Sequence, residues 1–324
     1  MMAHAAARPC PRGLLDNPPA APPAPRPTAP AALRLPVITA LLRFAARLPL
    51  PLMHGLGAAL GWLAYLVSST YRQRLQANVA QAGLPMSAAR AAIGHGGRMV
   101  AELPYLWLRP QGTPLGERVQ WQGAGLVDAA LAHGKGLIIV TPHLGAFEVI
   151  GQSYAERWGS QRPMTALYRP ARKAWLADIV AGSRNRPGLL TAPASIAGVR
   201  LMIRTLKQGH TVGLLPDQVP PEGQGVWAPW FGRPAYTMTL LARLIQQTGC
   251  AWLVLWCERQ PGGRYLIRAT EPPEPLPPGA DAAECAAVIN RAMEQLILQA
   301  PGQYLWSYHR YKQPRVADTP GATH

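Results

Sequence analysis

From residue 125 to residue 298 the chain alternates short apolar runs with stretches of helical period, and few folds accommodate that order. The runs over 136–141, 164–168, 211–215, 251–258 and 264–270 have the length and side-chain character of strands. Around them, 125–132, 146–157, 174–183, 196–207, 237–248 and 281–298 repeat apolar residues every three or four positions and read as helices. Strands separated by helices pair in parallel, through crossovers that lay helices on the sheet faces. The expected fold is α/β, a mainly parallel central sheet flanked by helices, with an N-terminal membrane-associated helix in front. The Pro- and Gly-rich stretch 216–234 reads as a long loop.

Ahead of this body, residues 1–32 are rich in Pro and Ala and have no apolar face. Such a composition cannot repay the entropy of ordering, so a disordered tail is expected. No apolar core of signal-peptide length follows its first basic residue before the prolines. Residues 48–67, LPLPLMHGLGAALGWLAYLV, contain no Asp, Glu, Lys or Arg. About twenty such residues match roughly 30 Å of hydrocarbon. Pro49, Pro51, His54 and three glycines weaken a spanning helix. A one-pass span, a helix lying shallowly in the bilayer and a core helix therefore stay open. Arg34, Arg43 and Arg47 precede the segment and Arg72 and Arg74 follow it, so charge sets no orientation. Helices are expected over 71–82 and 88–108. The organisation predicted is a tail over 1–32, a helical anchor over 33–70, an α/β domain over 71–314 and a second tail over 315–324.

Charge narrows the partners. Lys and Arg number 32 against 16 Asp and Glu, a net charge of +16, which favours an anionic partner. The basic residues are spread along the chain and match no nucleic-acid module, so no nucleic acid is expected. Cysteines at 10, 250, 257 and 285 form no CxxC pair, which fits a reducing, cytosol-facing body without disulfides.

The stretch 137–151, LIIVTPHLGAFEVIG, is the richest in chemistry. An apolar strand ends in Thr-Pro-His, and Gly145 leads into a helix carrying Glu148. Sites in α/β sheets form where strands end and helices begin. His143 stands there, and Glu148, five residues on, is placed to orient its imidazole as a general base. A capping histidine with a surface glutamate would show the same spacing. A basic cluster, Arg169, Arg172 and Lys173 with Arg184 and Arg186 beyond it, follows the next strand; guanidinium forks suit phosphate or carboxylate, though a solvated face is the plainer alternative. The strand over 211–215 ends in Asp217 and Gln218, and Trp227, Trp230 and Phe231 follow as an apolar groove wall, a membrane contact or core. GxSxG, HExxH and GxGxxG are absent, and Gly134-Lys135 lacks the rest of a P-loop. The histidines outside His143 show no ligand spacing, so no metal is expected.

In order along the chain, HLGAFE at 143–148, Tyr168-Arg169-Pro170, GVRLMIRTLKQG before GLLPDQ, FGRPAYT, and YLWSYHRYKQP resemble the bacterial late acyltransferases of lipid A biosynthesis. These form the lauroyl/myristoyl-transferring branch of the lysophospholipid acyltransferase superfamily. The resemblance covers roughly residues 35–314. It implies acyl transfer from acyl carrier protein to a hydroxyl of a phosphorylated glucosamine-based lipid at the cytoplasmic face of the inner membrane, with no cofactor beyond the acyl-protein co-substrate. His143 is then the base and Glu148 its partner. Arg169 and Arg172, Arg184, Asp217, Gln218, and Gly232, Arg233 and Pro234 of FGRPAYT become substrate-binding residues. Val219 follows Gln218 where the family often carries an acidic residue. A lysophospholipid or other membrane lipid as acceptor, and a non-catalytic basic membrane-binding protein, are the alternatives.

Overall fold

The computed structural model describes residues 38–110, 112–168 and 186–316. The expected tail 1–32 and the helix over 174–183 lie outside the described residues. Helix α1 (Leu50–Val67) starts beside Pro49 and Pro51; both stand where a helix has no N–H to lose, so these prolines begin the helix and do not break it. Ser68 ends it and caps α2 (Ser69–Gln81) by accepting the Tyr71 N–H at 3.2 Å. A short α3 (Met86–Ala89) precedes α4 (Ala91–Leu108).

Around Gly57 and Gly61 helix α1 lies along α4 with almost no side chain between them. A Cβ added at Gly57 would come within 2.7 Å of both the Gly97 carbonyl and Ala101 Cβ, and one at Gly97 would overlap the Gly57 carbonyl. Leu50, Met53, His54, Gly57 and Gly61 form the buried face. The opposite face shows Leu52, Leu56, Leu60, Leu63, Leu66 and Val67 to the surroundings. Among the described residues α1 is the one helix long and apolar enough to cross a membrane, and contiguous exposed apolar surface of this kind marks a membrane or partner contact.

The body is α/β. Seven strands, β1 (Val119–Gln122), β2 (Leu137–Val140), β3 (Met164–Tyr168), β4 (Leu189–Pro193), β5 (Thr211–Leu214), β8 (Ala251–Gln260) and β9 (Arg264–Thr270), are ordered β1-β9-β8-β2-β5-β3-β4. Every neighbouring pair is parallel except β8 and β9. Strand β2 is buried throughout: Ile138 and Val140 enter one core with α7 (Ile196–Lys207), α8 (Leu240–Thr248) and α9 (Ala282–Gln299), while Leu137 and Ile139 enter a second with α5 (Ala124–Ala132) and α6 (Phe147–Trp158). Strand alternation thus feeds two layers from one strand. Helix α9 opens with a reciprocal capping box between Asp281 and Glu284. Cys250, Cys257 and Cys285 are buried and free.

The stretch expected to be a long loop contains a hairpin, β6 (Gly225–Trp230) paired with β7 (Arg233–Met238). Its two-residue turn is Phe231-Gly232, with φ of 46° and 75°. Phe231 adopts a left-handed conformation that only a specific environment sustains. That environment is present: its N–H donates to Glu294 at 2.8 Å, its carbonyl accepts from Gln81 at 2.9 Å, and its ring lies against Trp230 and Trp306.

Candidate active site

Strands β2 and β5 are neighbours in register, Val140 opposite Leu214. Each runs three residues further, through a proline, to a polar side chain: Thr141-Pro142-His143 on one, Leu215-Pro216-Asp217 on the other. Equal extension from a registered pair sets His143 and Asp217 face to face. The His143 backbone N–H donates to Asp217 Oδ2 at 2.9 Å, and Nδ1 lies 2.7 Å from Oδ1. With Nδ1–H donated to the carboxylate, Nε2 carries the lone pair, and it accepts from the Gln218 amide at 3.1 Å.

Asp217 is almost completely buried. Burial alone would raise its pKa, but His143, by charge and two hydrogen bonds, and then Arg310 hold the carboxyl below the usual range. The Tyr304 hydroxyl adds a third donor at 3.3 Å. The orienting contact expected from Glu148 is therefore made by Asp217. Glu148 stands in the first turn of α6, on the cavity wall beside His143, and accepts from Trp107 Nε1 at 3.4 Å. Gly145 fixes this turn: φ is +61°, and a Cβ would overlap the Cys257 carbonyl. The next N–H, from Ala146, donates to that carbonyl at 2.7 Å. Only glycine permits such an approach in that conformation.

His143, Glu148 and Gln218 border a cavity of about 950 Å³. Its depth is apolar, with Met164, Leu189, Leu214, Met238 and Leu244 among its walls. No side chain caps α6, whose first two residues, Phe147 and Glu148, also line it. The unpaired amides of a helix's first turn make that end favourable for negative charge. Among the described residues no group of three His, Cys, Asp or Glu side chains could hold a metal ion.

The other expected site residues divide. Arg169, Arg172 and Arg184 lie outside the described residues. Gly232, Arg233 and Pro234 belong to the hairpin end, away from the cavity wall: Arg233 covers the Tyr311 ring at 4.6 Å. Trp230 is core, whereas Trp227 is exposed. Arg186 is buried and donates to the carbonyls of Leu106 and Arg109, a structural clamp between α4 and β4. Two supporting residues, Tyr304 and Arg310, lie in the YLWSYHRYKQP motif, which the sequence marked without giving either a role. Arg310, 2% exposed, donates to the Tyr236 carbonyl and Thr237 hydroxyl, each at 2.7 Å. Tyr308 accepts the Val219 N–H at 3.0 Å, so the C-terminal segment braces the loop that carries Asp217. The signal available was the density of aromatic and basic residues over 304–312 in a chain with few aromatics.

The described residues thus form an α/β protein in which a histidine held by a buried carboxylate, at the end of a parallel strand, borders a large and mainly apolar cavity. The profile of the bacterial lipid A biosynthesis acyltransferase family matches residues 31–313, and the chain belongs to that family. It is 29% identical over 182 residues to the lipid A biosynthesis lauroyltransferase of Escherichia coli K12, covering 56% of this chain and 58% of that protein. To the palmitoleoyltransferase of the same organism it is 27% identical over 203 residues, 61% and 63% of the two chains. A lipid A biosynthesis acyltransferase of Haemophilus influenzae is 25% identical over 196 residues, 59% and 58%. The alignments span about three-fifths of these relatives.

Proposed function

We propose that the protein transfers a fatty acyl chain from the thioester of acyl carrier protein to a hydroxyl of a phosphorylated lipid A precursor, on the cytoplasmic side of the inner membrane. The observation that carries this reading is the His143–Asp217 pair, with Nε2 of the imidazole directed away from the carboxylate at the border of an apolar cavity. The acyl chain occupies the cavity, and the acceptor hydroxyl takes the place of the Gln218 amide at Nε2. His143 removes the hydroxyl proton as the oxygen attacks the thioester carbonyl. The C–S bond then breaks, and the imidazolium returns the proton to the leaving thiolate, so that ester and free thiol are the products. Asp217 keeps the imidazole in the useful tautomer and stabilises its cation. The displaced Gln218 amide and the Phe147 and Glu148 amides at the start of α6 offer donors to the oxyanion. Glu148 acts on the same wall, and Arg169, Arg172 and Arg184 supply charge for the phosphates or the acidic carrier. The leucine row of α1 seats the enzyme on the bilayer.

The test is to incubate purified enzyme with acyl carrier protein loaded with C10 to C16 chains and a Kdo-bearing tetra-acylated precursor, then weigh the product. One added acyl group, lost in His143→Ala, is expected, and its mass reads the chain length. Transfer to a lysophospholipid in place of the precursor would keep the chemistry and overturn the acceptor; wild-type turnover by His143→Ala would overturn the mechanism.

A further inference from the structure

A second cavity of about 370 Å³ opens where the start of α1, the middle of α4 and the β8–β9 turn meet. His54, His95, Arg98, Arg259 and Gln260 line it, with the glycines of the turn. Behind it the buried carboxylate of Glu102 is fully engaged: Arg259 donates at 2.9 and 2.6 Å, His54 lies at 3.1 Å and the Tyr265 hydroxyl donates at 3.2 Å. Glu102 thereby neutralises Arg259. Nothing of the kind serves the other two groups. Arg98 makes no hydrogen bond or ion pair with any described residue, and its close charged neighbour is Arg259, a like charge. His95 Nδ1 is buried without a partner. Burial first, then Arg259 and Arg98, push the His95 imidazole down to about 3, so it is neutral and adds no charge of its own.

Arg98, part-buried, and the ring of His95 stand together on this wall, and one tetrahedral oxyanion can take the guanidinium fork and an imidazole N–H. The surroundings say what carries the anion. Gly55 lines the cavity, and a Cβ there would meet nothing within 4 Å, so the mouth is open on that side. Three residues earlier on the same helix, and so adjacent on its surface, Leu52 is exposed and begins the leucine row. A headgroup in the cavity would leave its tails against those leucines.

We propose that this cavity binds the phosphate of a membrane-lipid headgroup, with Arg98 as its charged fork and His95 as second donor. The site is separate from the wall around His143 but shares its sheet edge: Cys257, whose carbonyl holds Ala146, is two residues from Arg259 on β8. It stands whether or not the acyl-transfer reading holds.

The full chain in an uncharged maltoside detergent is titrated calorimetrically with inorganic phosphate, dihexanoyl phosphatidic acid and neutral dihexanoylglycerol. Dihexanoyl phosphatidic acid is expected to bind, with affinity lowered about tenfold or more in Arg98→Gln, the loss of one charge-assisted hydrogen bond. Arg98→Lys should recover part of it, and His95→Gln should weaken it separately. Since Arg98 holds no hydrogen bond or ion pair with a described residue and faces the like charge of Arg259, Arg98→Gln should keep the wild-type Tm or raise it slightly. Inorganic phosphate binding as tightly, with the same dependence on Arg98, would overturn the lipid source and leave free phosphate as the ligand. Equal binding of dihexanoylglycerol, no binding of either phosphate, or binding indifferent to Arg98→Gln would overturn the site.

Discussion

Replacing Asp217 by Asn keeps the side chain's shape and removes the charge that accepts the His143 Nδ1–H. The amide can then offer its own N–H to Nδ1, which drives the proton to Nε2 and takes away the lone pair needed at the cavity. By analogy with the same exchange in Ser-His-Asp enzymes, kcat should fall by about 10⁴-fold. Nitrogen-15 NMR of the imidazole should show Nδ1 protonated in the wild type and Nε2 protonated in D217N. Glu148→Gln should lower turnover with the wild-type tautomer retained; a tautomer change in E148Q but not in D217N would return the orienting role to Glu148. Both His143 and Asp217 were legible as polar residues ending apolar runs. Their partnership was not, because it depends on β5 lying beside β2 with Val140 opposite Leu214, a pairing made 74 residues apart. The five-residue step to Glu148 was visible in one dimension, and local spacing drew attention to the wrong carboxylate for that contact.

At the scale of elements, glycine sets how closely α1 and α4 approach. Gly97→Val places a side chain where the Gly57 carbonyl stands, so the helices must separate. Overpacking of this kind costs on the order of 3 kcal/mol, and Tm should drop by several degrees. Gly55→Ala, on the same α1 helix but with open space at its Cβ, should leave Tm unchanged or slightly raised. Tryptophan fluorescence melts of the two variants check this; equal effects would mean that the glycine contacts do not hold the pair. The helices and central strands were largely readable, since buried parallel strands and amphipathic helices carry strong patterns. The hairpin β6–β7 was not, for a physical reason. Pro229 and Pro234 stand opposite one another in it, tolerated in a two-stranded ribbon without a further strand to satisfy, whereas prolines in a sequence argue against strands. Strands β1 and β4, of four and five residues, are half-buried at the sheet edges and too short for their patterns to stand out.

For the molecule as a whole, the charge of +16 makes each proton added on acidification unwelcome, and His95 concentrates that effect at one position. Its folded pKa is lowered to about 3, by burial foremost and then by Arg259 and Arg98, against about 6.5 in the unfolded chain. Between those values the unfolded state binds the extra proton and the folded state does not, so stability falls as pH drops below about 6.5 and the loss is complete near 3. Over the step from pH 7 to pH 5 nearly the whole change belongs to the unfolded chain, and it amounts to on the order of 2 kcal/mol. Glu102 works over a different window. Burial would raise its pKa, but Arg259 and His54 hold it below the ordinary carboxylate value, so its contribution is intact above about pH 4.5 and fades only at lower pH. The two groups can therefore be told apart by pH alone. Thermal melts at pH 7 and pH 5 should show a fall of several degrees for the wild type and a smaller one for His95→Gln, whose side chain cannot take a proton in either state. Equal falls in the two proteins would assign the acid sensitivity to other groups and leave His95 ordinary in its titration.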